Sequence, residues 1–542
     1  MNECRCPAFF YGIVYFSRLL NLQGVYVHVI LRLIKRPILI VNQVERMVFL
    51  LLHQKWIGGA LATATLAVTL FVSAMPSGQP VMAGKENGYY GKQAKYVFYF
   101  IGDGMAMPQI DSTQIFKGAL NSTNPMNKEK VNFASFPYQG MQATYSANTF
   151  ITESAAAGTA LATGHKTNND VLGVDPTKQV KYTSMAELAR DKGMKVGIVS
   201  SVSIDHATPG AFYAHQSSRK NLYEIGVELA NSNFDYFAGG GFLQPTGKKK
   251  DKESVLSLAQ QKGYKVVNDE SAIRNLQPQD GKVIAIQPEL AGEEAMQYDI
   301  DRGNRLSLAD FTHKGIEMLD NPNGFFMMVE GGKIDWSCHA NDAATTVRDV
   351  MAFENAISEA LAFYAKHPDE TLIVVTGDHE TGGMTIGFAG TEYATAFSKL
   401  KTQDLSFEEF DKLIKNYRNT VGAEEANLDD WLPVLAQRFG LTDLTDFDKA
   451  RLSAALAASM VDPKQRTKDE QSYLLYGTYE PFSVTATHIL NQKAGIGWTT
   501  YAHTGVSIPV FAQGIGGEQF QGSYDNTDVA KKVMNAMGVQ FQ

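Results

Sequence analysis

Cysteine is scarce in this chain, which has three cysteines among 542 residues. We expect Cys4 and Cys6 to be lost with an N-terminal segment that is removed from the mature protein, which leaves Cys338 alone. A single cysteine excludes an intrachain disulfide, and we interpret Cys338 as a small buried packing residue. At this length the chain can bury a deep core without such a crosslink.

Positive charge is in short supply beyond the N-terminus. The chain has 49 lysines and arginines against 57 aspartates and glutamates, and its formal net charge is -8. Basic residues outnumber acidic ones within residues 1–83, so the remainder of the chain is more acidic than the total indicates. An acidic body argues against a nucleic-acid partner, because phosphate backbones attract basic surfaces.

The N-terminal region has the pattern of an export signal. Lys55 precedes an apolar run over Trp56–Val72, and Val72-Ser-Ala and Val81-Met-Ala resemble signal-peptidase sites. We interpret residues 47–83 as a secretory signal; the alternative is an uncleaved membrane anchor, since the run is nearly long enough to span a bilayer. Residues 1–46 are interpreted as an upstream extension from an overcalled start codon or, alternatively, as a second membrane segment. The expected location is periplasmic or secreted, with membrane attachment if the segment stays uncleaved.

Apolar segments in the rest of the chain predict parallel strands separated by helices. The predicted strand ends lie near Ile101, Ser200, Ala238, Val329, Val375 and Ala512. Helical patterns between them include Thr183–Lys192 and Ala343–Tyr364. This alternation predicts one α/β domain over residues 84–542, with a mostly parallel central sheet, helices on both faces and ligands at the carboxyl ends of the strands.

A charged, helix-rich block interrupts this alternation between about residues 390 and 492. It includes helical patterns over Ser406–Tyr417 and Phe447–Met460. The block separates His379 from His503, although we expect both histidines in one site. We therefore predict a helical insertion that protrudes from the domain as a cap or a dimer crown.

Three of the predicted strands end in carboxylates. Asp103, Glu330 and Asp378 each follow an apolar run, and His379 comes directly after the third of them. A single Gly-Asp-Gly sequence, as at Asp103, is most often a turn. Three parallel strands with carboxylate ends instead indicate a site at one edge of the sheet.

The stretch from Glu330 to His339 adds an imidazole to these carboxylates. On a helix that begins near Asp335, residues four apart share a face, so Asp335 and His339 can reach one cation. Oxygen and imidazole ligands together suit zinc. Taken alone, Asp335 and His339 also fit a salt bridge on a helix surface. The other candidate ligands nearby favour a metal site instead. His503, just before the predicted strand Ile508–Ala512, is a further candidate ligand.

A helix of small residues begins close to Ser154, in Thr-Glu-Ser-Ala-Ala-Ala-Gly. A helix N-terminus offers free N–H groups and a positive dipole end to an anion, so Ser154 is a candidate nucleophile for phosphate. The alternative is a serine N-cap on a packing helix. Because no Gly-x-Ser-x-Gly hydrolase sequence surrounds Ser154, a metal is needed to activate it.

From about Lys95 to the C-terminus, apart from the block at 390–492, these motifs resemble the alkaline phosphatase family. Gly-Asp-Gly, Thr-Glu-Ser-Ala-Ala, His-Ala-Thr-Pro with a distal arginine, Glu-x4-Asp-x3-His, Gly-Asp-His-Glu and a late His-Thr-Gly occur in the order found in the family. The resemblance implies an alkaline phosphatase-like α/β fold, hydrolysis of small phosphate monoesters and a homodimer.

The resemblance also implies a role for each site residue. Ser154 is the phosphate-accepting nucleophile, and Arg219 grips two phosphate oxygens. The implied cofactors are two zinc ions and one magnesium ion, and water hydrolyses the phosphoserine that forms on Ser154. The implied ligands are Asp335, His339 and His503 for one zinc, Asp103, Asp378 and His379 for the other, and Asp103, Thr208 and Glu330 for magnesium.

This chain departs from the family pattern at three positions. Glu153 stands where members often have aspartate, and we expect its contact with Arg219 to be longer or bridged by water. His206 stands where some members have aspartate at the third metal site, and we expect it to act through a metal-bound water. Trp336 stands where some members carry a basic residue that contacts phosphate, so we expect an altered affinity for free phosphate.

Two other classes of function fit part of the sequence. A phosphodiesterase or sulfatase of the same superfamily would share the metal-binding core, but such relatives generally lack the set of His206, Thr208 and Glu330. A non-catalytic phosphate-binding protein would need no activated nucleophile. We therefore predict an alkaline phosphatase, with a phosphodiesterase as the alternative.

Overall fold

The computed structural model describes residues 91–541. The predicted extension over residues 1–46 and the predicted signal or anchor over residues 47–83 lie outside the described residues. Cys338 is buried and free, as predicted. Across residues 91–541, no helix combines the length and the apolar character that a membrane crossing requires.

Fourteen strands occur in the described residues, and ten of them form one sheet. The strands are β1 Tyr96–Gly102, β2 Tyr138–Ala143, β3 Lys195–Ser200, β4 Tyr236–Gly239, β5 Tyr264–Val267, β6 Lys282–Ile286, β7 Phe325–Gly331, β8 Thr371–Gly377, β9 Glu380–Thr381, β10 Thr385–Ile386, β11 Ile496–Gly497, β12 His503–Thr504, β13 Ile508–Gly514 and β14 Gly522–Asp525. The large sheet has the order β14-β2-β13-β8-β1-β7-β3-β4-β6-β5. Every neighbouring pair in it is parallel except the two pairs that β13 makes, so the predicted mostly parallel sheet is confirmed.

Seventeen α-helices connect these strands within the described residues. They are α1 Met107–Asn121, α2 Ser154–Thr163, α3 Met185–Asp191, α4 Ala207–Gly210, α5 Leu222–Asn231, α6 Val255–Gln261, α7 Glu270–Arg274, α8 Asp299–Arg302, α9 Leu308–Leu319, α10 Lys333–His339, α11 Ala343–Tyr364, α12 Phe407–Thr420, α13 Leu432–Phe439, α14 Asp446–Met460, α15 Glu470–Tyr476, α16 Pro481–Ala494 and α17 Asn526–Met537. Short 3-10 turns lie at Asn132–Ser135, Pro278–Asp280, Gly292–Glu294, Phe397–Thr402, Leu428–Asp430 and Gly517–Phe520.

Side chains of β1 alternate between two hydrophobic cores. Val97, Tyr99 and Ile101 pack into one core with residues of α2 and α17, whereas Phe98 and Phe100 pack into the other with residues of α9 and α11. A strand that is covered on both faces needs apolar residues at every position, which explains its unbroken apolar run. The sheet therefore lies between two helical layers.

The three central strands end in register at one edge of the sheet. Gly102 of β1 pairs with Gly331 of β7 on one side and with Gly377 of β8 on the other. Carboxylates that follow or precede these glycines by one residue, as at 103, 330 and 378, are consequently carried to the same edge. The predicted convergence of three strand ends is thus confirmed.

The block that departs from the alternating pattern contains the five helices α12 to α16. These helices share a third core, which includes Phe410, Trp431 and Phe482 and extends to α1 and α11 of the domain. The pairing of β10 with β11, and of β9 with β12, closes the two ends of the block against each other. The second of these pairs joins Thr381 to His503, so the chain before the insertion meets the chain after it.

Candidate active site

Ser154 is the first residue of α2 and is buried at the carboxyl edge of the sheet. The residue that caps this helix is Glu153, whose carboxylate accepts hydrogen bonds from the backbone N–H groups of Ala155 and Ala156. The alternative of a serine N-cap is therefore wrong, since the hydroxyl of Ser154 faces the site instead. Ser154 Oγ lies 3.3 Å from His379 Nε2.

Asp335, His339 and His503 form the first ligand cluster. His339 Nε2 lies 3.4 Å from Asp335 Oδ2 and 3.1 Å from His503 Nε2. The Nδ1 atom of each ring faces a backbone carbonyl, that of Tyr501 at 2.6 Å for His339 and that of Thr152 at 2.9 Å for His503. A carbonyl can only accept, so each Nδ1 carries the proton. The two Nε2 lone pairs then face each other, and a cation would satisfy both.

His379, Asp103 and Asp378 form the second ligand cluster. His379 Nε2 lies 3.4 Å from Asp103 Oδ1 and 3.3 Å from Asp378 Oδ2. The Nδ1 atom of His379 lies 3.3 Å from Thr381 Oγ1, and this hydroxyl donates to Asp335 Oδ1 at 2.5 Å. Because the hydroxyl proton is used for Asp335, His379 Nδ1 donates to Thr381. The Nε2 lone pair of His379 is left facing the two carboxylates.

The two clusters adjoin each other through a pair of stacked rings. The centroids of His379 and His503 are 3.7 Å apart, and their planes differ by 18°. The resemblance to the family assigns His379 to the second cluster alone, whereas the structure places it beside the first cluster as well. Ser154 contacts His379, the ring that adjoins both clusters.

Asp103, Thr208 and Glu330 form the third ligand cluster, in which every donor is an oxygen. Thr208 Oγ1 lies 3.5 Å from Asp103 Oδ2, while the other oxygen of Asp103 faces His379. Ser200 donates a hydrogen bond to Glu330 Oε2, and Glu330 Oε1 is a buried atom without a hydrogen-bond partner. Asp103 is thus shared between the second and the third cluster.

Arg219 lies between Glu153 and His206. Its Nη1 donates to Glu153 Oε2 at 2.5 Å, so the expectation of a longer or water-bridged contact is wrong. Arg219 Nη2 lies 3.1 Å from His206 Nε2, and a guanidinium group can only donate, so His206 Nε2 accepts. The proton of a neutral His206 is then on Nδ1, which is buried without a partner. His206 consequently fits a donor to an oxygen in the third cluster better than a direct metal ligand.

Trp336 packs against the ring of His206. The two rings meet edge to face with centroids 5.9 Å apart. A basic group, Lys333 Nζ, lies 4.7 Å from the Trp336 ring and 3.6 Å from the ring of Tyr298, and its side chain is buried. This lysine lies against two aromatic faces and donates to Glu408 Oε2 at 3.5 Å.

Burial and mutual repulsion disfavour negative charge on most of these carboxylates. Burial raises the pKa of Glu330 to about 7 and the pKa of Asp378 to about 8. Burial, reinforced by the charge of Asp378, also raises the pKa of Asp103 well above its ordinary value. Asp335 differs: burial opposes its charge, but His339 and the other histidines lower its pKa. Buried carboxylates that repel one another favour the binding of cations, because a positive charge offsets the repulsion.

Unpartnered atoms mark where such cations fit. Asp103, Glu330 and Asp378 each keep one buried carboxylate oxygen that lacks a hydrogen bond, although buried polar atoms are nearly always paired. Ligand atoms within 4.8 Å of one another occur in three groups of the described residues: Asp335, His379 and His503; Asp103, His206 and Glu330; and Asp103, Asp378 and His379. The donors present therefore fit two cations with mixed oxygen and imidazole ligands and one cation with mainly oxygen ligands.

Two hydroxyl groups that support the ligands were not predicted from the sequence. Thr381 joins Asp335 of the first cluster to His379 of the second, and Ser200 holds Glu330. A signal existed for Ser200, because it ends a predicted strand and pairs with Glu330 in the neighbouring strand. Thr381 lies two residues after His379, and its contact with Asp335 depends on tertiary packing that no local pattern records.

Comparison with known proteins decides which family these clusters belong to. The family model described as alkaline phosphatase matches residues 94–539, which is most of the chain. The chain belongs to the alkaline phosphatase family. Alkaline phosphatase 4 of Bacillus subtilis (strain 168) is 32% identical over 460 residues, which cover 82% of this chain and 89% of that protein.

Solved structures of alkaline phosphatases resemble the whole described domain. The crystal structure of a cold-active alkaline phosphatase from a psychrophilic Shewanella sp. has a TM-score of 0.68 and 30% identity, and the match covers 82% of this chain and 99% of that one. A histidine variant of the TAB5 alkaline phosphatase, with magnesium bound in its M3 site, has a TM-score of 0.57 and 27% identity over 83% of this chain and 99% of that one. The predicted alkaline phosphatase-like fold is confirmed, and the protein is an alkaline phosphatase that hydrolyses phosphate monoesters.

Proposed function

We propose that Ser154 is the nucleophile of this alkaline phosphatase and that turnover passes through a phosphoserine. The observation that supports this most is the position of Ser154 Oγ, which lies 3.3 Å from His379 Nε2 at the start of a helix. The oxygen forms a bond to phosphorus as the bond from phosphorus to the alcohol oxygen breaks, and the alcohol leaves. Water then releases inorganic phosphate and restores the serine hydroxyl.

We also propose that the three ligand clusters hold two zinc ions and one magnesium ion. The first cluster (Asp335, His339, His503) and the second (Asp103, Asp378, His379) combine carboxylate with imidazole, which suits zinc. The third cluster (Asp103, Thr208, Glu330) offers oxygens, which suit magnesium, with His206 as a hydrogen-bond donor beside it. Bound cations of this kind supply Lewis acidity that lowers the pKa of hydroxyl groups and neutralises phosphate charge.

Arg219 is proposed to orient the phosphate. Glu153 and His206 hold the guanidinium group on two sides, which leaves its planar fork in one orientation. Such a fork binds two oxygens of a phosphate at once, and a monoester offers more charge and more free oxygens than a diester. These contacts support preference for monoesters over the phosphodiesterase alternative.

The release of p-nitrophenol from matched p-nitrophenyl phosphate, bis-p-nitrophenyl phosphate and p-nitrophenyl sulfate at alkaline pH tests this reaction class. We expect the highest kcat/KM for the monoester. A higher kcat/KM for the diester would transfer the assignment to the phosphodiesterase alternative. Elemental analysis of the same preparation should find zinc and magnesium in a two-to-one ratio, and chelation should abolish activity until both metals are restored.

Export and assembly are further proposals. Residues 47–83 are proposed to direct the chain to the periplasm or the medium, on the basis of the apolar run and the signal-peptidase-like sequences. A homodimer is proposed from the resemblance to the family. Cell fractionation with N-terminal sequencing of the mature protein tests the first proposal, and light scattering tests the second; an uncleaved chain in the membrane fraction would favour the anchor.

A further inference from the structure

The chain turns directly after the proposed zinc ligand His339. Helix α10 ends at His339 and α11 begins at Ala343, so residues 340–342 form the junction between the two helices. Asn341, in the middle of this junction, is buried and has a φ of 52°, in the left-handed region that residues other than glycine seldom adopt. Such a conformation persists only where surrounding contacts hold it. The contacts of Asn341 therefore determine how α10 ends.

The side-chain amide of Asn341 bonds to three separate segments. Its Nδ2 donates to the carbonyl of Cys338 at 2.8 Å and to the carbonyl of Thr500 at 3.0 Å. Carbonyls can only accept, so the amide nitrogen faces them and the amide oxygen faces His488 Nε2 at 3.1 Å. His488 consequently donates to this oxygen. The amide thus joins the last turn of α10 to α16 and to the segment that follows the insertion.

Both ends of the insertion contact the junction. Asn491 of α16 donates from Nδ2 to the backbone carbonyl of Asn341 at 2.6 Å. From the other end, Gln403 Nε2 donates to the Asp342 carboxylate at 2.8 Å, and the backbone N–H of Phe407 donates to it at 3.0 Å. These hydrogen bonds are buried, where a lost partner is not replaced by water.

The segment that follows the insertion also holds His339 itself. The carbonyl of Tyr501, one residue after the carbonyl that accepts from Asn341, accepts from His339 Nδ1 at 2.6 Å. The Tyr501 ring stacks with that of His488, with centroids 6.0 Å apart and planes that differ by 25°. His339 Nε2 then faces His503 Nε2 at 3.1 Å. The direction of the His339 ring is therefore set by Tyr501 and by the end of α10.

We propose that the insertion positions the first ligand cluster, and that Asn341 and His488 are the positioning residues through which it acts. Asn341 fixes the end of α10, which carries Asp335 and His339, and His488 fixes Asn341. The inference rests on the proposed zinc site at the first cluster. It gives a role to a block of helices that contributes no ligand to the three clusters.

Zinc binding at equilibrium, measured by competition with a chromophoric chelator, tests this inference without relying on turnover. Wild type should bind two zinc ions, and His339→Ala identifies which affinity belongs to the first cluster. Asn341→Gly keeps the left-handed backbone and removes the amide. We expect it to weaken the zinc of the first cluster roughly tenfold, the lower end of the effect of groups that support metal ligands, and to leave the other zinc unchanged.

Variants of α16 test whether the effect comes from the insertion. His488→Leu should weaken the same zinc, because the amide oxygen of Asn341 loses its donor. His488→Gln can still donate through its amide and should recover most of the affinity. Gln492→Leu is the matched control: Gln492 lies on the same helix but accepts from Arg451 at 2.7 Å, so both zinc affinities should stay at the wild-type level.

Wild-type zinc affinities in Asn341→Gly or in His488→Leu would overturn the inference, so one soluble variant of the two is sufficient to decide it. Equal weakening of both zinc ions, or weakening in Gln492→Leu as well, would also overturn it, because the whole fold would then have loosened. Absence of zinc from wild type would instead count against the proposed function. The two proposals therefore fail in distinguishable ways.

Discussion

Hydrogen bonds divide the four histidines of the active site into two kinds. His339, His379 and His503 each use Nδ1 as a donor, to a carbonyl or to the Thr381 hydroxyl, and present an Nε2 lone pair to the site. His206 accepts through Nε2 from Arg219 and presents an N–H instead. This difference favours metal coordination by the first three and a hydrogen bond from His206 to an oxygen of the third cluster.

Replacing His206 by aspartate should tighten magnesium binding. The substitution removes an N–H donor and adds a negative charge beside Asp103 and Glu330, which favours a hard cation. We expect His206→Asp to lower the magnesium concentration for half-maximal activity by roughly tenfold, the lower end of the effect of groups that support metal ligands. His206→Asn is the control for the charge, because asparagine has nearly the same size as aspartate and no charge. Equal magnesium requirements in the two variants would contradict this explanation.

Removing Arg219 should weaken the preference for monoesters. A lost charge-assisted hydrogen bond costs about 1.5 to 3 kcal/mol, or roughly ten- to a hundredfold in kcat/KM. We expect Arg219→Ala to lower the ratio of monoester to diester hydrolysis by about that factor while chemistry persists. Arg219→Lys keeps the charge without the planar fork and should recover only part of the ratio. A ratio that stays at the wild-type value in Arg219→Ala would remove Arg219 from phosphate binding.

Residue types and strand ends made much of the site predictable. Asp103, Glu330 and Asp378 end predicted strands, and the four-residue spacing of Asp335 and His339 is a helix signal. The contact of Glu153 with Arg219 was predicted with the wrong length, because its geometry depends on how the helix cap orients the carboxylate. Such orientations arise from tertiary packing and leave no pattern in the sequence.

At the scale of elements, the short ladder of β9 with β12 holds the first and second clusters together. It pairs Thr381 with His503 and Glu380 with Thr504. The carboxylate of Glu380 is buried and accepts hydrogen bonds from Gln109, Thr504 and backbone N–H groups. Two strands of two residues each are stable here because buried polar side chains secure them.

Thr381→Val should loosen both clusters without changing the volume of the side chain. The substitution removes the hydroxyl that donates to Asp335 and accepts from His379, which should lower zinc affinity roughly ten- to a hundredfold. The measurement is activity against free zinc concentration in a metal buffer, where added zinc should restore the rate. Thr385→Val, at an exposed threonine of β10, is the control. If activity depended on free zinc in Thr381→Val as it does in wild type, this role of Thr381 would be excluded.

Helix boundaries followed the sequence where local signals were strong. The predicted helix Ala343–Tyr364 has the bounds of α11, which Asp342 caps through the backbone N–H of Thr345. The helix expected near Asp335 begins earlier, at Lys333, because Gly332 already adopts helical backbone angles and serves as its N-cap. Asp335 and His339 still share one face of it.

At the scale of the whole molecule, the parallel sheet was predictable from the sequence, and the place where the insertion contacts the domain was not. Alternating strands and helices indicate the sheet, whereas the hydrogen bond from the Tyr501 hydroxyl to Leu475 of α15 and the pairing of β10 with β11 join segments that no local pattern links. The family resemblance implied that His379 and His503 meet in one site despite their separation in sequence, and the structure shows the ladder that brings them together.

His215 should make the stability of the whole fold depend on pH. Burial alone would lower its pKa, but hydrogen bonds and charges from Glu187 and Glu228 raise it from 6.5 to about 9. The stabilisation from protonated His215 is complete below the pKa of this histidine in the unfolded chain, and it is lost as pH rises through the pKa in the folded protein. Between these values the free energy of unfolding should fall by up to about 3 kcal/mol more in wild type than in His215→Gln. Urea unfolding at several pH values measures this, and parallel pH profiles for the two proteins would contradict it.

Transfer of phosphate to Ser154 is the central claim, and trapping the phosphoenzyme tests it most directly. The enzyme is mixed with a radiolabelled phosphate monoester, quenched in acid and digested, and the labelled peptide is sequenced. The account predicts label on Ser154 in wild type and no labelled protein in Ser154→Ala, which should also lose most turnover. A stable labelled phosphoenzyme in Ser154→Ala, with turnover near that of wild type, would contradict the account.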